Sequence, residues 1–329
     1  MERKPTLTLA FADFWPGFDP RTSFLVRLLS ERFELEVARR SRILVFGPFG
    51  TDHVIHRGTK VLLFLEPGPL PRNSFDFSLS WDYPRSPREL RFPGFYTSLI
   101  AGPGAARSLR ERPSQPDWSR RAHFCNFVYS NKDARVRGEF FRELSKRAFV
   151  HAPGREENNT PPLAGGRAAE DWQRIKIEYQ RSFRFSIAFE NASLPGYTTE
   201  KLLDALVAGT VPIYWGNPRV GDDVPPGAYI NAHDFASLAA LADHVMEVEH
   251  DDRPAAQYLS AAAEPCIAVD DMTRSVCDLF EEIADYRTPL RTSVIRPVSL
   301  LMHGGAIDLV RRGCLLAGHR IRSATRSRS

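Results

Sequence analysis

Between Phe183 and Gly216 the chain reads FRFSIAFENASLPGYTTEKLLDALVAGTVPIYWG: a strand, a loop, a helix and a second strand in close succession. The pattern predicts strands over Phe183–Phe189 and Val211–Trp215 and a helix over Glu200–Ala208. Leu202, Leu203, Leu206 and Val207 fall on one face of that helix, and such a face packs on the sheet. Thr198 or Thr199 supplies an N-cap oxygen for a free backbone N–H. Gly209 takes the left-handed conformation that ends the helix, and Pro212 opens the strand that follows. Elements in this order belong to an α/β fold.

The first half of the chain repeats the theme. TLTLAF (Thr6–Phe11) reads as a strand, and Thr22–Arg32 carries Phe24, Leu25, Leu28 and Leu29 at helical spacing. ILVF (Ile43–Phe46) and VLLFL (Val61–Leu65) are wholly apolar runs, as in parallel strands covered on both faces. Phe75–Leu79 alternates and reads as a further strand, and HFCNFVYS (His123–Ser130) as another, followed by a helix over Ala134–Arg147. The Gly- and Pro-rich stretch HAPGREENNTPPLAGGRAAE then marks a boundary near Phe149. Beyond it come helices at Glu170–Gln180, Ser237–Val248 and Thr273–Tyr286 and a short strand at Ala228–Asn231. The expected organisation is an N-terminal domain over 1–149, a second domain over 150–287, and a basic tail over 288–329. The expected fold class is α/β, with two doubly wound Rossmann-type domains facing across a cleft. Ligands of such sheets bind outside the carboxyl ends of the strands.

Composition narrows the function. A chain of 329 residues that is 43% hydrophobic has material for two cores. Its cysteines form no CxxC pair, no HExxH occurs, and His53 and His56 lack a third ligand, so no metal site is expected. No run approaches the ~20 apolar residues of a membrane span. The start, MERKPTLTLAFADF, has no signal-peptide pattern, and a cytoplasmic protein is expected. The net charge is +4, from 44 basic and 40 acidic residues. After Asp308 no acidic residue occurs, while Arg311, Arg312, Arg320, Arg322, Arg326 and Arg328 do. Ala306–Ile321 reads as a basic amphipathic helix suited to an anionic membrane surface, which implies peripheral attachment to the inner face. No helix-turn-helix, zinc-finger or RNP pattern accompanies these charges, so nucleic acid is set aside as a partner.

Lys201 poses a problem in the first turn of its helix, where the dipole favours Glu200 and disfavours a cation. An anion bound there resolves it. Backbone N–H groups, the positive helix end and Lys201 would then face one phosphate group.

FEN, YTTEK and AGTVPIYWG, in that order and spacing, resemble the donor-binding signature of the α-1,3/1,4-fucosyltransferases. FADFWPGFDP (Phe11–Pro20), FGTDH (Phe49–His53), FDFSLSWDY (Phe75–Tyr83), FCNFVYSN (Phe124–Asn131) and INAHDF (Ile230–Phe235) resemble further landmarks in family order. The resemblance spans Thr6 to Tyr286. It implies a GT-B-like fold, with 1–149 as the acceptor-binding domain and 150–287 as the nucleotide-sugar (donor) domain, and GDP-fucose as donor. It also implies donor contacts from Asn191 and Tyr197, a hydroxyl acceptor at Glu200 and a diphosphate cation at Lys201. Glu190, ahead of the loop, is expected to hold backbone amides. Arg155, after a glycine at the hinge, is the expected second donor-binding cation.

An inverting transfer needs a carboxylate to take the acceptor proton and positive charge on the leaving diphosphate. Glu66 ends the run VLLFL, and Pro67 holds it extended. It is the expected base, with Asp82 in reserve. Family relatives read Gly-Glu-Asn there and this chain reads Leu-Glu-Pro. No cofactor is required on this reading, and no DxD triad calls for a divalent cation. The acceptor is expected to be a GlcNAc-type residue of lipopolysaccharide or another surface glycan. The rival readings are the same fold with another GDP-sugar and a non-catalytic basic membrane or nucleic-acid binder.

Overall fold

The computed structural model describes residues 3–101, 107, 109, 120–131, 134–164, 171–261 and 265–287. Short apolar runs pair side by side into two sheets. The first sheet holds β1 (Thr6–Ala12), β2 (Glu34–Val37), β3 (Ile43–Phe46), β4 (Thr59–Phe64), β5 (Phe77–Ser80) and β6 (Glu89–Arg91), in the order β2-β1-β3-β4-β5-β6. All of β3 and β4 is buried, as the apolar runs Ile43–Phe46 and Val61–Leu65 predicted, and β4 begins two residues earlier with the buried Thr59 and Lys60. A short helix, α1 (Phe24–Leu29), buries Leu25, Leu28 and Leu29 and is capped by the Ser23 side chain. β2 went unread in the sequence because ELEV sits half-exposed at the sheet edge, where no apolar run is needed.

The second sheet holds β7 (His123–Asn126), β8 (Val150–His151), β9 (Phe183–Phe189), β10 (Val211–Trp215) and β11 (Ile230–Asn231), in the order β11-β10-β9-β7-β8. The pairings among β1 to β5 and among β7 to β11 are parallel. The helices after α1 are α2 (Phe95–Ala101), α3 (Arg135–Ser145), α4 (Trp172–Gln180), α5 (Glu200–Ala208), α6 (Leu238–His250), α7 (Asp252–Ser260) and α8 (Val269–Asp285). The predicted bounds of β9, α5 and β10 match those observed. Gly209 caps α5 at φ 72°, as expected. Leu202, Leu203, Leu206 and Val207 are all buried, and each contributes about 1.5–3 kcal/mol by leaving water.

The compact units divide elsewhere than near Phe149. One takes in the described residues up to Ser80, Pro84–Leu90 and those from Cys277 on. The other takes in Trp81–Tyr83 and Arg91–Val276. The physical reason is strand pairing. β7 lies between β9 and β8, with Cys125 opposite both Phe185 and Val150, so β7 and α3 share the core of the second sheet. The expected tail helix over Ala306–Ile321 lies outside the described residues. Among the described residues no helix is long and apolar enough to cross a membrane.

Candidate active site

In the second sheet β7 has β8 on one side and β9 on the other, so the connections leaving the carboxyl ends of β7 and β9 diverge. Such a switch point is where doubly wound sheets bind ligands. Glu190 follows β9 there and has no exposure. Its Oε1 accepts from the Thr199 amide at 2.7 Å and its Oε2 from the Thr199 hydroxyl at 2.7 Å. Glu190 therefore holds a backbone amide at the start of α5, as expected. The N-cap expectation needs correcting. Thr199 occupies the cap position but makes no side-chain cap bond. Its hydroxyl is drawn to Glu190 and also accepts from Lys201 Nζ at 2.9 Å. The Thr198 hydroxyl donates instead to Asp223 Oδ2 at 2.6 Å.

Gly216 makes room for this carboxylate. It sits at φ +158°, and a Cβ on it would lie 2.4 Å from Glu190 Cγ. The glycine ending AGTVPIYWG is thus a steric requirement of Glu190.

Lys201 Nζ stands 3.1 Å from Glu190 Oε2 and 3.5 Å from Glu200 Oε1. Burial lowers the lysine pKa, but the Glu190 and Glu200 carboxylates outweigh it and hold the group above its ordinary value. Part of the answer to the cation at a helix start is therefore internal: a buried carboxylate already faces it. Two of the three ammonium N–H groups are committed to Glu190 and Thr199. The Glu200 contact is too long to be a strong hydrogen bond, so one donor can exchange partners. At Glu200 burial favours the neutral form, but Lys201 and Lys176 overcome it and bring the carboxyl down to about 2.

Asn191, next in the chain, accepts at Oδ1 from Arg137 Nη2 at 2.6 Å. Arg137 was not singled out in the sequence. It is 1% exposed, and its Nη2 also donates to the Phe189 carbonyl at 3.2 Å. Its Nη1 donates to the Asn131 carbonyl at 3.3 Å and lies 3.5 Å from Glu156 Oε2. The guanidinium lies over the Tyr129 ring, 4.0 Å from its centroid. The Tyr129 hydroxyl in turn donates to Ile187 O and accepts from the Phe189 amide, which fixes the ring against the end of β9. A signal was present in the sequence. Arg137, Phe140, Phe141 and Leu144 share one helix face at i, i+3, i+4 and i+7, and an arginine on an apolar stripe needs a reason.

Tyr197 is 3% exposed and meets the Trp81 ring edge-on at 5.6 Å. Its loop is pinned by Asn217, whose Oδ1 accepts from the Gly196 amide at 2.7 Å and whose Nδ2 donates to Thr198 Oγ1 at 3.1 Å. Arg155 does not join Asn191. It lines a polar recess of about 620 Å³ with Arg135, Gly138, Arg142, Glu156, Glu157 and Asn158. The guanidinium beside Asn191 is that of Arg137.

Glu66 belongs to the first unit. It lies two residues past the carboxyl end of β4 and is half-buried. Asp82 follows β5, and its Oδ1 accepts from the Tyr83 amide at 2.8 Å. His53 does not pair with His56: its Nδ1 is 2.6 Å from Asp13 Oδ2. Among the described residues no three His, Cys, Asp or Glu side chains gather as a metal site.

Residues 118–295 match the sequence profile of glycosyltransferase family 10 (fucosyltransferase), C-terminal part, and residues 9–98 that of the alpha-(1,3)-fucosyltransferase FucT N-terminal domain. An alpha-(1,3)-fucosyltransferase FucT of Helicobacter pylori is 26% identical over 284 residues, covering 73% of this chain and 57% of that protein. An alpha-(1,4)-fucosyltransferase of Arabidopsis thaliana is 35% identical over 108 residues, covering 31% of this chain and 27% of that protein. The chain thus spans less than two thirds of the length of these relatives. A crystal structure of an alpha1,3-fucosyltransferase with GDP-fucose superposes with a TM-score of 0.73 at 21% identity, covering 87% of this chain and 93% of that one. This likeness carries the fold, which is the GT-B-like α/β class expected.

Proposed function

Because the chain belongs to glycosyltransferase family 10, the fucosyltransferases, we propose that it transfers L-fucose from GDP-β-L-fucose to a hydroxyl of a GlcNAc-type residue. The linkage is α-1,3 or α-1,4, the anomeric centre inverts, and the acceptor is a lipopolysaccharide or other surface glycan. The observation that carries this reading is the placing of Arg137 and Lys201 at the β7/β9 switch point, beside the N-terminus of α5.

In this reading the donor diphosphate takes the exchangeable N–H of Lys201, the amides at the start of α5 and the charge of Arg137. The helix end and the two cations then stabilise the negative charge that develops as GDP leaves. Glu200, relieved of its long contact to Lys201, accepts from a ribose or fucose hydroxyl. Asn191 and Tyr197 border the nucleotide–sugar, and Arg155 adds charge from the recess. Glu66 takes the proton of the attacking acceptor hydroxyl as the new C–O bond forms and the bond to GDP breaks. No metal enters this sequence.

The basic segment over 288–329 is proposed to hold the enzyme on the cytoplasmic face of an anionic membrane. Flotation with anionic liposomes tests this: binding that survives deletion of the tail contradicts it.

Incubation with GDP-fucose and a panel of GlcNAc-containing oligosaccharides, with the product linkage read by NMR, tests the activity itself. An α-fucosylated product is expected. Turnover only with another GDP-sugar would reassign the donor, and stabilisation by no nucleotide would remove the enzymatic reading.

A further inference from the structure

We infer that Arg91 and Asp223 form a buried clamp that positions the turn Gly196–Thr198, and through it the start of α5, to receive the donor diphosphate. This inference rests on the GDP-fucose reading and adds two positioning residues to it, which act through the backbone of the turn.

The start of α5 is tied down on two sides. Thr199 is bound to the buried Glu190 through both its amide and its hydroxyl. Thr198, one residue earlier, donates its hydroxyl to Asp223 Oδ2 at 2.6 Å. Two consecutive threonines are thus docked on two different buried carboxylates. The Thr199 hydroxyl makes no cap bond to the helix it precedes. An ordinary N-cap side chain occupies a first-turn N–H, and an anion needs those same groups. Holding the threonines from outside the helix fixes its start without that competition.

Asp223 has the surroundings for this role. It is 3% exposed and follows the short helical turn Val220–Asp222. Arg91, the last residue of β6, grips it with both ends of its fork. Nη1 donates to Oδ1 at 2.6 Å and Nη2 to Oδ2 at 2.9 Å. The same Nη2 donates to the Gly196 carbonyl at 3.0 Å. Asn217 closes the ring: its Nδ2 donates to Asp223 Oδ2 and to Thr198 Oγ1, each at 3.1 Å, and its Oδ1 accepts from the Gly196 amide. The amide and carbonyl of Gly196 and the hydroxyl of Thr198 therefore all end on one cluster. The main chain of Asp223 is anchored in turn, its carbonyl accepting from the Cys266 amide at 2.8 Å.

The turn has no slack on its other side. Gly196 sits at φ +95°, and a Cβ on it would lie 2.5 Å from the Trp81 carbonyl oxygen, 3.1 Å from Tyr83 Cε2 and 3.3 Å from Arg91 Nε. The Arg91 guanidinium also lies over the Tyr83 ring, 4.6 Å from its centroid.

Stability alone does not account for such a pair. Burial works against the Arg91 charge, and Asp223 more than offsets it. Taking two ions out of water largely cancels their attraction, and apolar side chains of similar volume would serve a core as well. What apolar side chains lack is direction. A planar fork and a carboxylate fix each other's orientation, and here that orientation is passed on to Gly196 and Thr198. A diphosphate site gains from this, because donors already in place need no ordering when the ligand binds.

Calorimetric titration of the full chain with GDP, well below the Tm of each variant, tests the clamp. Thr198→Val removes the hydroxyl and keeps the shape, and GDP affinity is expected to fall about tenfold. Thr198→Ser restores the hydroxyl and should bind GDP within about twofold of wild type. Arg91→Lys keeps the charge without the fork and is also expected to lose about tenfold. In turnover assays Thr198→Val and Arg91→Lys should raise KM for GDP-fucose and leave KM for the acceptor unchanged. A role in packing alone would lower Tm and leave GDP affinity of the folded chain untouched. That result in Thr198→Val or Arg91→Lys overturns the inference, and so does a Thr198→Ser as weak as Thr198→Val. If neither variant folds, hydrogen exchange in the wild-type chain decides. The Gly196 amide should exchange slowly before GDP is added, and fast exchange there that only GDP suppresses overturns the clamp. Wild-type GDP affinity in the folded variants would leave the fucosyltransferase reading standing and remove only the clamp. A wild-type chain that binds no GDP would remove both.

Discussion

Lys201 Nζ stands 3.1 Å from Glu190 Oε2, so the cation at the start of α5 is paired inside the fold before any ligand arrives. The pair has two consequences. It keeps a charge buried at the switch point, and it limits what the lysine offers a diphosphate to a single exchangeable N–H.

Lys201→Ala separates these roles. Removing the lysine leaves Glu190 fully buried without its counter-ion, and breaking such a pair costs about 3–5 kcal/mol of stability. Loss of a charged hydrogen bond to phosphate weakens GDP binding by about 10- to 100-fold. Urea denaturation reads the first effect and calorimetry the second. Wild-type stability in the variant would contradict the pairing, and wild-type GDP affinity would contradict the phosphate role.

Gly216→Ala tests the same carboxylate from the strand side. The new Cβ would meet Glu190 Cγ at 2.4 Å, on a backbone at φ +158° that alanine resists. A loss of about 2 kcal/mol or more is expected, seen as a lower Tm. An unchanged Tm would mean that Glu190 does not lie over Gly216.

What was legible in the sequence and what was not divides along a physical line. β9, α5 and β10 were read to the residue because their signals are local: apolar runs, one helix face, and Gly209 as a left-handed cap. Glu66 and Lys201 were singled out because each stands at the end or start of such an element. β8 was hidden in a stretch that reads as loop, since only its pairing with β7 makes Val150–His151 a strand. The domain boundary moved for the same reason. Arg137 escaped notice because its partners, Asn191, Phe189 and Glu156, come together only when β7 pairs with β9, and no local pattern records that meeting. The cap at Thr199 was misjudged because its hydroxyl is taken up by Glu190, nine residues earlier, and by Lys201.

Glu200 gives a pH signature. Its carboxyl sits at about 2 in the folded chain against an unperturbed 4.5. A folded value below the unfolded one means that the folded state favours the ionised form. The stabilisation is therefore complete above pH 4.5 and is lost as the pH falls toward 2. Urea stability of wild type and of Glu200→Gln, compared across that window, should converge at the acid end. A gap that does not shrink as the pH falls would contradict the Lys201 and Lys176 fields at this position.

Glu66→Gln addresses the chemical step. Fucosyl transfer is expected to fall by about 10²- to 10⁴-fold, the usual span for a general base. GDP affinity should stay at the wild-type value, because Glu66 lies in the first unit and the proposed diphosphate ligands lie in the second. Full activity in this variant would transfer the role to another carboxylate, with Asp82 the next to test.

The most direct measurement is a crystal structure of the chain soaked with GDP. Diphosphate oxygens within hydrogen-bond distance of Lys201 Nζ and the Arg137 guanidinium, at the start of α5, are the predicted result. GDP bound elsewhere, with Lys201 still closed on Glu200 and Arg137 still closed on Asn191, would contradict it.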